Sequence, residues 1–434
     1  MRMNEKLAIY GGEKVRSSLF PFYQTIGQEE ILAVTEVLRS GVLSKYLGVW
    51  HEDFYGGPQV QSFEREWAEL YGVANAMSVN SNSSGLIAAL GAVGVGPGDE
   101  VIVSPYSMSI SATAPLFYGA VPVFADVEPD FFCLDPKSVE EKITSRTKAI
   151  IIVDLFGNPY DADAINALAK KHNIYVIEDA AQAPLTMYKN RYAGTLGDIG
   201  VFSLNYHKHV HTGEGGMVVT NDDRLAERVR LIRNHAESVV EKKGEEDLVN
   251  MIGFNSRMTE VEAAIGREQI KKLPELLSKR LDNVEYLANG LKDIPFLRIA
   301  PTRPNCEHGY YVQAFLYDET CAGVHRDLFI DAVKAELMPT EKRENEGVHI
   351  SVGYVKPIYL LPVFQKKIAI GRNGFPFVGS AVDYTKGICP TVERLHEHEL
   401  IFHHLIHSAL TKKDLDDVVE AFHKVARQIH TLST

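Results

Sequence analysis

Lys148-Ala149-Ile150-Ile151-Ile152-Val153 closes on Asp154, and Ile174-Tyr175-Val176-Ile177 closes on Glu178-Asp179. Between these two apolar runs, residues 163–172 carry a helical pattern. Each run is too short for a helix and is apolar at consecutive rather than alternating positions, so each predicts a strand buried on both faces. Strand, helix, strand is the unit of a parallel sheet, because parallel neighbours need a crossover between them. The same grammar repeats outward. Val101-Ile102-Val103 ends in Ser104-Pro105, Val121-Pro122-Val123-Phe124 ends in Ala125-Asp126, and residues 222–235 read as a further helix. From about residue 74 the chain therefore predicts a mostly parallel α/β sheet. Ligands on such sheets sit at the carboxyl ends of the strands, where Ser104, Asp126 and Asp179 fall.

At 434 residues the chain exceeds one compact core. The expected division is an arm over residues 1–30, a large domain over 31–290 and a smaller α+β domain over 291–434. Residues 259–290 have helical periodicity, and Pro274 is expected to break or kink that helix. Pro295, Pro301 and Pro304 punctuate the loop beyond it. Hydrophobic residues at 45% and charged residues at 24% exclude disorder. The net charge of -12, with no run of Lys and Arg against it, argues against nucleic acid and against an anionic membrane surface as partners. No stretch approaches the ~18 apolar residues of a membrane span, and residues 1–12 lack the apolar run of a signal peptide. Cys133, Cys306, Cys321 and Cys389 are scattered without a C-x-x-C pair, which predicts buried structural thiols in a reducing compartment, the cytoplasm, and no metal.

Four segments could carry chemistry. Asn80-Ser81-Asn82-Ser83-Ser84-Gly85-Leu86 opens an apolar helical run. Free amides at a helix start cradle phosphate, although ordinary N-capping is the commoner explanation of such a segment. Glu178-Asp179-Ala180-Ala181-Gln182-Ala183 puts a carboxylate at a strand tip, where it either pairs with a protonated pyridine nitrogen or caps the next segment. Asp198-Ile199-Gly200-Val201-Phe202-Ser203 leads through Asn205-Tyr206-His207-Lys208 to Thr212-Gly213-Glu214-Gly215-Gly216. A lysine between a strand and a glycine turn can be held against the sheet as a nucleophile instead of standing in water. Gly253-Phe254-Asn255-Ser256-Arg257-Met258-Thr259-Glu260 enters the long helix, with Thr259 a suitable N-cap by residue type.

The ordered set E-D-A-A-Q-A, G-D-I-G-x-F-S, K-x-x-x-x-G-E-G-G and G-x-N-x-R-x-T-E resembles the DegT/StrS-type sugar aminotransferases, a branch of the fold type I pyridoxal-phosphate enzymes. The resemblance runs from Leu7 to the C-terminal helix. It implies a large domain with a mostly parallel seven-stranded sheet between helices, and a smaller C-terminal domain. It also implies pyridoxal 5'-phosphate held by Lys208, with Asp179 on the pyridine nitrogen, Gln182 at the ring hydroxyl, and Ser83, Ser84 and Ser203 at the phosphate. Asn255 would reach the phosphate of a partner subunit, hence a homodimer with shared sites. Tyr106, His308, Tyr310 and Tyr359 fall near the substrate entrance. The reaction implied is ping-pong transfer from glutamate or glutamine to a nucleotide-linked keto-sugar or a keto-cyclitol, in carbohydrate, polysaccharide or antibiotic biosynthesis.

Three positions depart from the family pattern. Asn82-Ser83 replaces Gly-Thr, which is tolerable if Asn82 has positive φ; Met108 stands where an aromatic stacks on the ring; and Pro184 replaces a common histidine. Among relatives, the sugar dehydratases carry histidine at the catalytic position. Counting back from Gly213 puts Lys208 there, and neither His207 nor His209. A non-catalytic cofactor-binding regulator would not need the complete chemical set. Residues 11–16 and 389–394 resemble both the cyclitol (scyllo-inosose) aminotransferases and an aromatising relative, 3-amino-5-hydroxybenzoate synthase, so that alternative stays open.

Overall fold

The computed structural model describes residues 6–432, so the first five residues of the expected arm and the last two of the chain lie outside the described part. Seven strands form the large sheet: β1 (Asn75–Val79), β2 (Glu100–Val103), β3 (Val121–Phe124), β4 (Thr147–Val153), β5 (Tyr175–Asp179), β6 (Ile199–Ser203) and β7 (Gly216–Thr220). Their order is β1-β7-β6-β5-β4-β2-β3. Only β7 runs against its neighbours, pairing antiparallel with β1 and β6 while β6, β5, β4, β2 and β3 are parallel. The apolar runs of β2, β4 and β5 are buried on both faces, as their composition requires. The strand and helix expectations hold, including Ala162–His172 between β4 and β5 and Asp223–Arg233 after β7.

Of the break or kink expected at Pro274, the break does not occur. Glu260–Leu291 is one helix that continues through Pro274. An interior proline costs about 3 kcal/mol. Ile270, Leu273, Val284, Leu287 and Leu291 are buried on either side of it. At roughly 1.5–3 kcal/mol per buried aliphatic side chain, their packing exceeds the penalty.

Past this helix, Leu297–Ile299, Gln313–Tyr317, Leu400–His403 and Ile350–Val352 form an antiparallel sheet in that order. Helices Arg326–Ala335 and Lys412–Arg427 pack with it into a second core, which also takes Leu7 and Phe20 from the N-terminal segment. That segment is pinned by charge. Glu336, fully buried, pairs with Lys424 at 2.7 Å and accepts the Ala8 amide at 2.8 Å, while Arg16 meets Asp414 and Asp417 at 2.8 Å. Of the four free cysteines, Cys133 and Cys389 are buried, but Cys306 is half-buried and Cys321 exposed, so the expectation of buried thiols holds for two. No helix among the described residues is long and apolar enough to cross a membrane.

Candidate active site

Asp179 ends β5 and is 3% exposed. Its Oδ1 accepts the side-chain amide of Asn82 and the Ala181 N–H, both at 3.1 Å, and its Oδ2 faces the Ser111 hydroxyl at 3.5 Å. All three donors are neutral, and among the described residues no cation lies within ion-pair distance. Burial raises the Asp179 pKa, opposed first by the Ala181 amide and then by the charge of Lys208. Asp179 is thus a desolvated carboxylate with no cationic side chain paired to it among the described residues.

Lys208 sits in the turn between β6 and β7. Its amide closes on the Asn205 carbonyl at 2.9 Å, and its Nζ lies 4.3 Å above the Tyr311 ring centroid. Gly213, with φ +88°, makes the left-handed turn back toward β7. A Cβ on Gly216 would stand 2.7 Å from the Ser81 carbonyl carbon, so glycine lets β7 approach the start of helix Asn82–Ala92. The histidines beside Lys208 are turned elsewhere. His207 contacts Arg343 at 3.2 Å, and buried His209 places Nε2 2.7 Å from the Gly309 carbonyl.

At the helix start, Ser81 is the N-cap, accepting the Ser84 N–H at 3.1 Å, and the Ser84 hydroxyl donates to Asn80 at 2.6 Å. The amides of Asn82 and Ser83 have no acceptor among the described residues, as expected of a first helical turn. Asn82 does not adopt positive φ. It is the first residue of the helix, and its buried side chain is spent on Asp179 and the Val201 carbonyl. Ser83 is exposed, and Ser203, at the end of β6, accepts the Asn205 N–H at 3.3 Å.

Gln182 is clamped: its Oε1 accepts the Phe156 N–H at 2.7 Å, and its Nε2 donates to the Tyr354 hydroxyl at 3.0 Å. Phe156 has φ 62°, a conformation that costs a non-glycine residue on the order of 1–3 kcal/mol. The Gln182 bond, the Tyr311 N–H on the Phe156 carbonyl at 2.8 Å, and edge-on packing against Phe132 and Tyr354 hold it there.

The remaining expected residues differ in exposure and partners, and Tyr106 packs edge-on against Tyr354 at 5.7 Å. Tyr106 is fully buried with its hydroxyl on the Gly353 carbonyl, and Tyr359 is fully buried with its hydroxyl on Glu393, so neither hydroxyl is free for substrate. Met108 is 60% exposed. His308 and Tyr310 stack on each other at 3.8 Å, with the Tyr310 N–H on His308 Nδ1 at 2.8 Å. Asn255 is exposed, and its Oδ1 accepts from Arg257 at 2.8 Å. Asn82, Ser111 and Tyr354 complete the cluster without having been marked as site residues. Of these only Asn82 lay in a flagged segment, where it read as a turn residue.

A cavity of about 390 Å³ opens beside Lys208, walled in part by Tyr206, His207 and Tyr311.

Residues 24–423 match the DegT/DnrJ/EryC1/StrS aminotransferase family. The chain belongs to this family. Its members are pyridoxal-phosphate-dependent aminotransferases, and the enzyme is one of them. It is 34% identical to the spore coat polysaccharide biosynthesis protein SpsC of Bacillus subtilis (strain 168), over 93% of this chain and 95% of that one. It is 32% identical to the L-glutamine:2-deoxy-scyllo-inosose aminotransferase of Streptoalloteichus tenebrarius, over 97% of each. Among solved structures, an aminotransferase from Psychrobacter cryohalolentis superposes with a TM-score of 0.80 at 30% identity, covering 95% of this chain and 100% of that one. Its fold is therefore the fold type I architecture expected from the sequence.

Proposed function

We propose that the enzyme transfers an amino group from glutamate or glutamine to the keto group of a nucleotide-linked sugar or a cyclitol, with Lys208 holding pyridoxal 5'-phosphate and moving the proton. The observation that carries this reading is Asp179, a buried carboxylate held only by neutral donors and faced by the charge of Lys208. A protonated pyridine nitrogen is the cation such a carboxylate lacks. The unpaired amides of Asn82 and Ser83, with Ser83, Ser84 and Ser203 beside them, fit a phosphate on the same ligand. Gln182, fixed by the Phe156 amide, serves the ring hydroxyl.

When bound, the cofactor supplies an electron sink for the pair released as a proton leaves the amino-bearing carbon. Asp179 keeps a proton on the ring nitrogen, which makes that sink deeper. Lys208 Nζ would hold the cofactor and, once free, would act as the base that takes the proton from the amino-bearing carbon and as the acid that hands it back. Tyr311, packed under Lys208, keeps the amine over an apolar ring and out of bulk water. The engagement of His207 with Arg343 and of His209 with the Gly309 carbonyl supports lysine rather than histidine as the working base.

The cyclitol reading draws support from the relative named for 2-deoxy-scyllo-inosose. Exposed Ile31, Leu32 and Leu38 on helix Gln28–Ser40, and exposed Val249, Ile252 and Phe254 beside Asn255, support a homodimer in which Asn255 of one copy completes the phosphate site of the other. The four free thiols support a cytoplasmic enzyme. Borohydride reduction of the holoenzyme followed by peptide mapping tests the assignment. The cofactor should be found on the Lys208 peptide, and its appearance on another lysine overturns the reading. A mass-read screen of nucleotide-linked keto-sugars and inososes with glutamine and glutamate should then yield an aminated product.

A further inference from the structure

Three side chains from separate segments of the C-terminal part of the chain meet outside the cavity beside Lys208. Glu319 opens the short helix Glu319–Ala322, His325 is the N-cap of helix Arg326–Ala335, and His398 stands in Leu395–Glu399, a single π-helical turn of a kind that recurs at functional sites. One ligand atom of each lies within 4.8 Å of the other two, and among the described residues no other three His, Cys, Asp or Glu side chains close in this way. His398 Nδ1 is 3.6 Å from Glu319 Oε2, and the two imidazole rings meet edge-on with centroids 5.8 Å apart. A tetrahedral zinc with bonds of about 2.0–2.1 Å spaces its ligand atoms about 3.3 Å apart. Rotation of the exposed side chains of Glu319 and His398 covers the difference. The backbone beneath them is set by Arg326. This buried arginine follows His325 in the chain, and its guanidinium donates to the carbonyls of Leu395, Leu400, His396 and Glu397 at 3.2, 3.1, 3.0 and 3.2 Å. Four hydrogen bonds thus tie the start of one helix to the turn that carries His398, and the fold itself brings the two imidazoles together.

The charges favour a cation. Glu319 has no Lys or Arg within ion-pair distance among the described residues. Asp318 adds negative charge to the adjoining cleft of about 480 Å³, and the one Lys or Arg on that cleft, Arg298, is paired with Asp130 at 2.6 Å. His325 Nδ1 accepts the Asp327 N–H at 3.3 Å as the helix cap. Coordination through Nε2 would move the ring proton onto Nδ1, where the Asp327 carboxylate, 3.8 Å away, is placed to accept it. We propose that Glu319, His325 and His398 form a site for one divalent transition-metal ion, zinc by ligand type, which fastens the three segments to one another. Two imidazoles and one carboxylate suit zinc, whereas calcium and magnesium take oxygen ligands. The ligands come from distant parts of the chain, so the expectation of no metal, drawn from the cysteines, does not bear on them. The inference is independent of the aminotransferase reading.

Equilibrium dialysis of the untagged holoenzyme against zinc, with the metal counted per chain, tests it. The wild type should bind one zinc per chain at this site. His398→Gln and His325→Asn, the second of which keeps a residue type that caps helices, should each bind it at least roughly 10-fold more weakly. Saturating zinc should raise the wild-type melting temperature by roughly 2–5 °C and leave that of His398→Gln unmoved. Circular dichroism checks that each variant is folded. Should a histidine variant fail to fold, Glu319→Gln decides in its place, and unchanged zinc affinity there overturns the proposal. Zinc bound equally by wild type and folded His398→Gln overturns it, because the metal would then sit elsewhere on the protein, as does a wild type that retains no zinc after dialysis. Calcium competing on equal terms with zinc would overturn the assignment of a transition metal.

Discussion

Replacing Asp179 with Asn separates the chemistry of the carboxylate from its packing. The amide keeps the shape and one acceptor oxygen, so the Asn82 and Ala181 donors at 3.1 Å retain a partner, and Ser111 at 3.5 Å can accept from the new amine. What is lost is the charge. An opposite charge within hydrogen-bonding reach raises a cation's pKa by about 1–3 units, and each unit is about 1.4 kcal/mol. If that interaction is realised mainly as electrons flow into the ring, the donor half-reaction should slow by roughly 10- to 10³-fold. The apo protein should respond in the opposite direction. Burial raises the Asp179 pKa in the folded state, so the folded chain prefers the neutral acid. Relative stability is therefore lost as pH rises from the unfolded value near ~3.9 through the raised folded value, above which the ionised carboxylate is a burden. Apo Asp179→Asn should melt no lower than apo wild type at pH 7, although its holoenzyme turns over slowly. Stopped-flow decay of the visible cofactor band in single turnover, with thermal melts of both apo proteins, measures the two effects. A half-reaction within ~2-fold of wild type would refute the electrostatic role, and an apo variant several degrees less stable would refute the account of the burial cost.

Asn82→Ala removes one donor from the same carboxylate. A hydrogen bond to a charged group is worth about 1.5–3 kcal/mol, so the acid limb of the kcat/KM profile should move up by about one to two pH units; an unmoved limb would contradict the coupling. Asp154 and Glu178 form a buried carboxyl pair behind the site, with Asp154 Oδ2 lacking a hydrogen-bond partner, and burial and the Glu178 charge push the Asp154 pKa well up. The sign is again that of a raised acid, so Asp154→Asn should gain melting temperature relative to wild type as pH rises from 5 to 8, and a gain that shrinks over that range would show that the pair is not proton-sharing. If Ile252, 73% exposed, is covered by a second copy, Leu32→Arg combined with Ile252→Asp should sediment as an inactive monomer, whereas an active monomer would refute the shared site.

The sheet was legible because its information is local. Three consecutive β-branched residues at Ile150-Ile151-Ile152 admit few readings once a helix and a second apolar run follow. The strand tip at Asp179 and the turn at Lys208 were legible for the same reason, since a tip and a turn are defined by their immediate neighbours. Pro274 misled because its local penalty is overridden by apolar contacts made along both halves of the helix. Tyr354 gave no signal at all. Its contact with Gln182 spans 172 residues, and nothing near either position in the chain anticipates the other.

Asn82 shows why a departure from a family pattern is informative only after the side chain is placed. As a turn residue it suggested a tolerated substitution at positive φ. In the structure it begins a helix, and its amide bridges the first helical turn to the carboxylate at the tip of β5. On the function proposed above, the free amides of that turn and the carboxylate are the two ends that a phosphorylated pyridine would span. A side chain linking them makes the spacing of those ends a property of the protein's own hydrogen bonding. A glycine at that position would leave the same helix start but would not tie it to Asp179. The substitution therefore supplies a constraint that the glycine it replaces could not, and the Asn82→Ala profile measures that constraint directly.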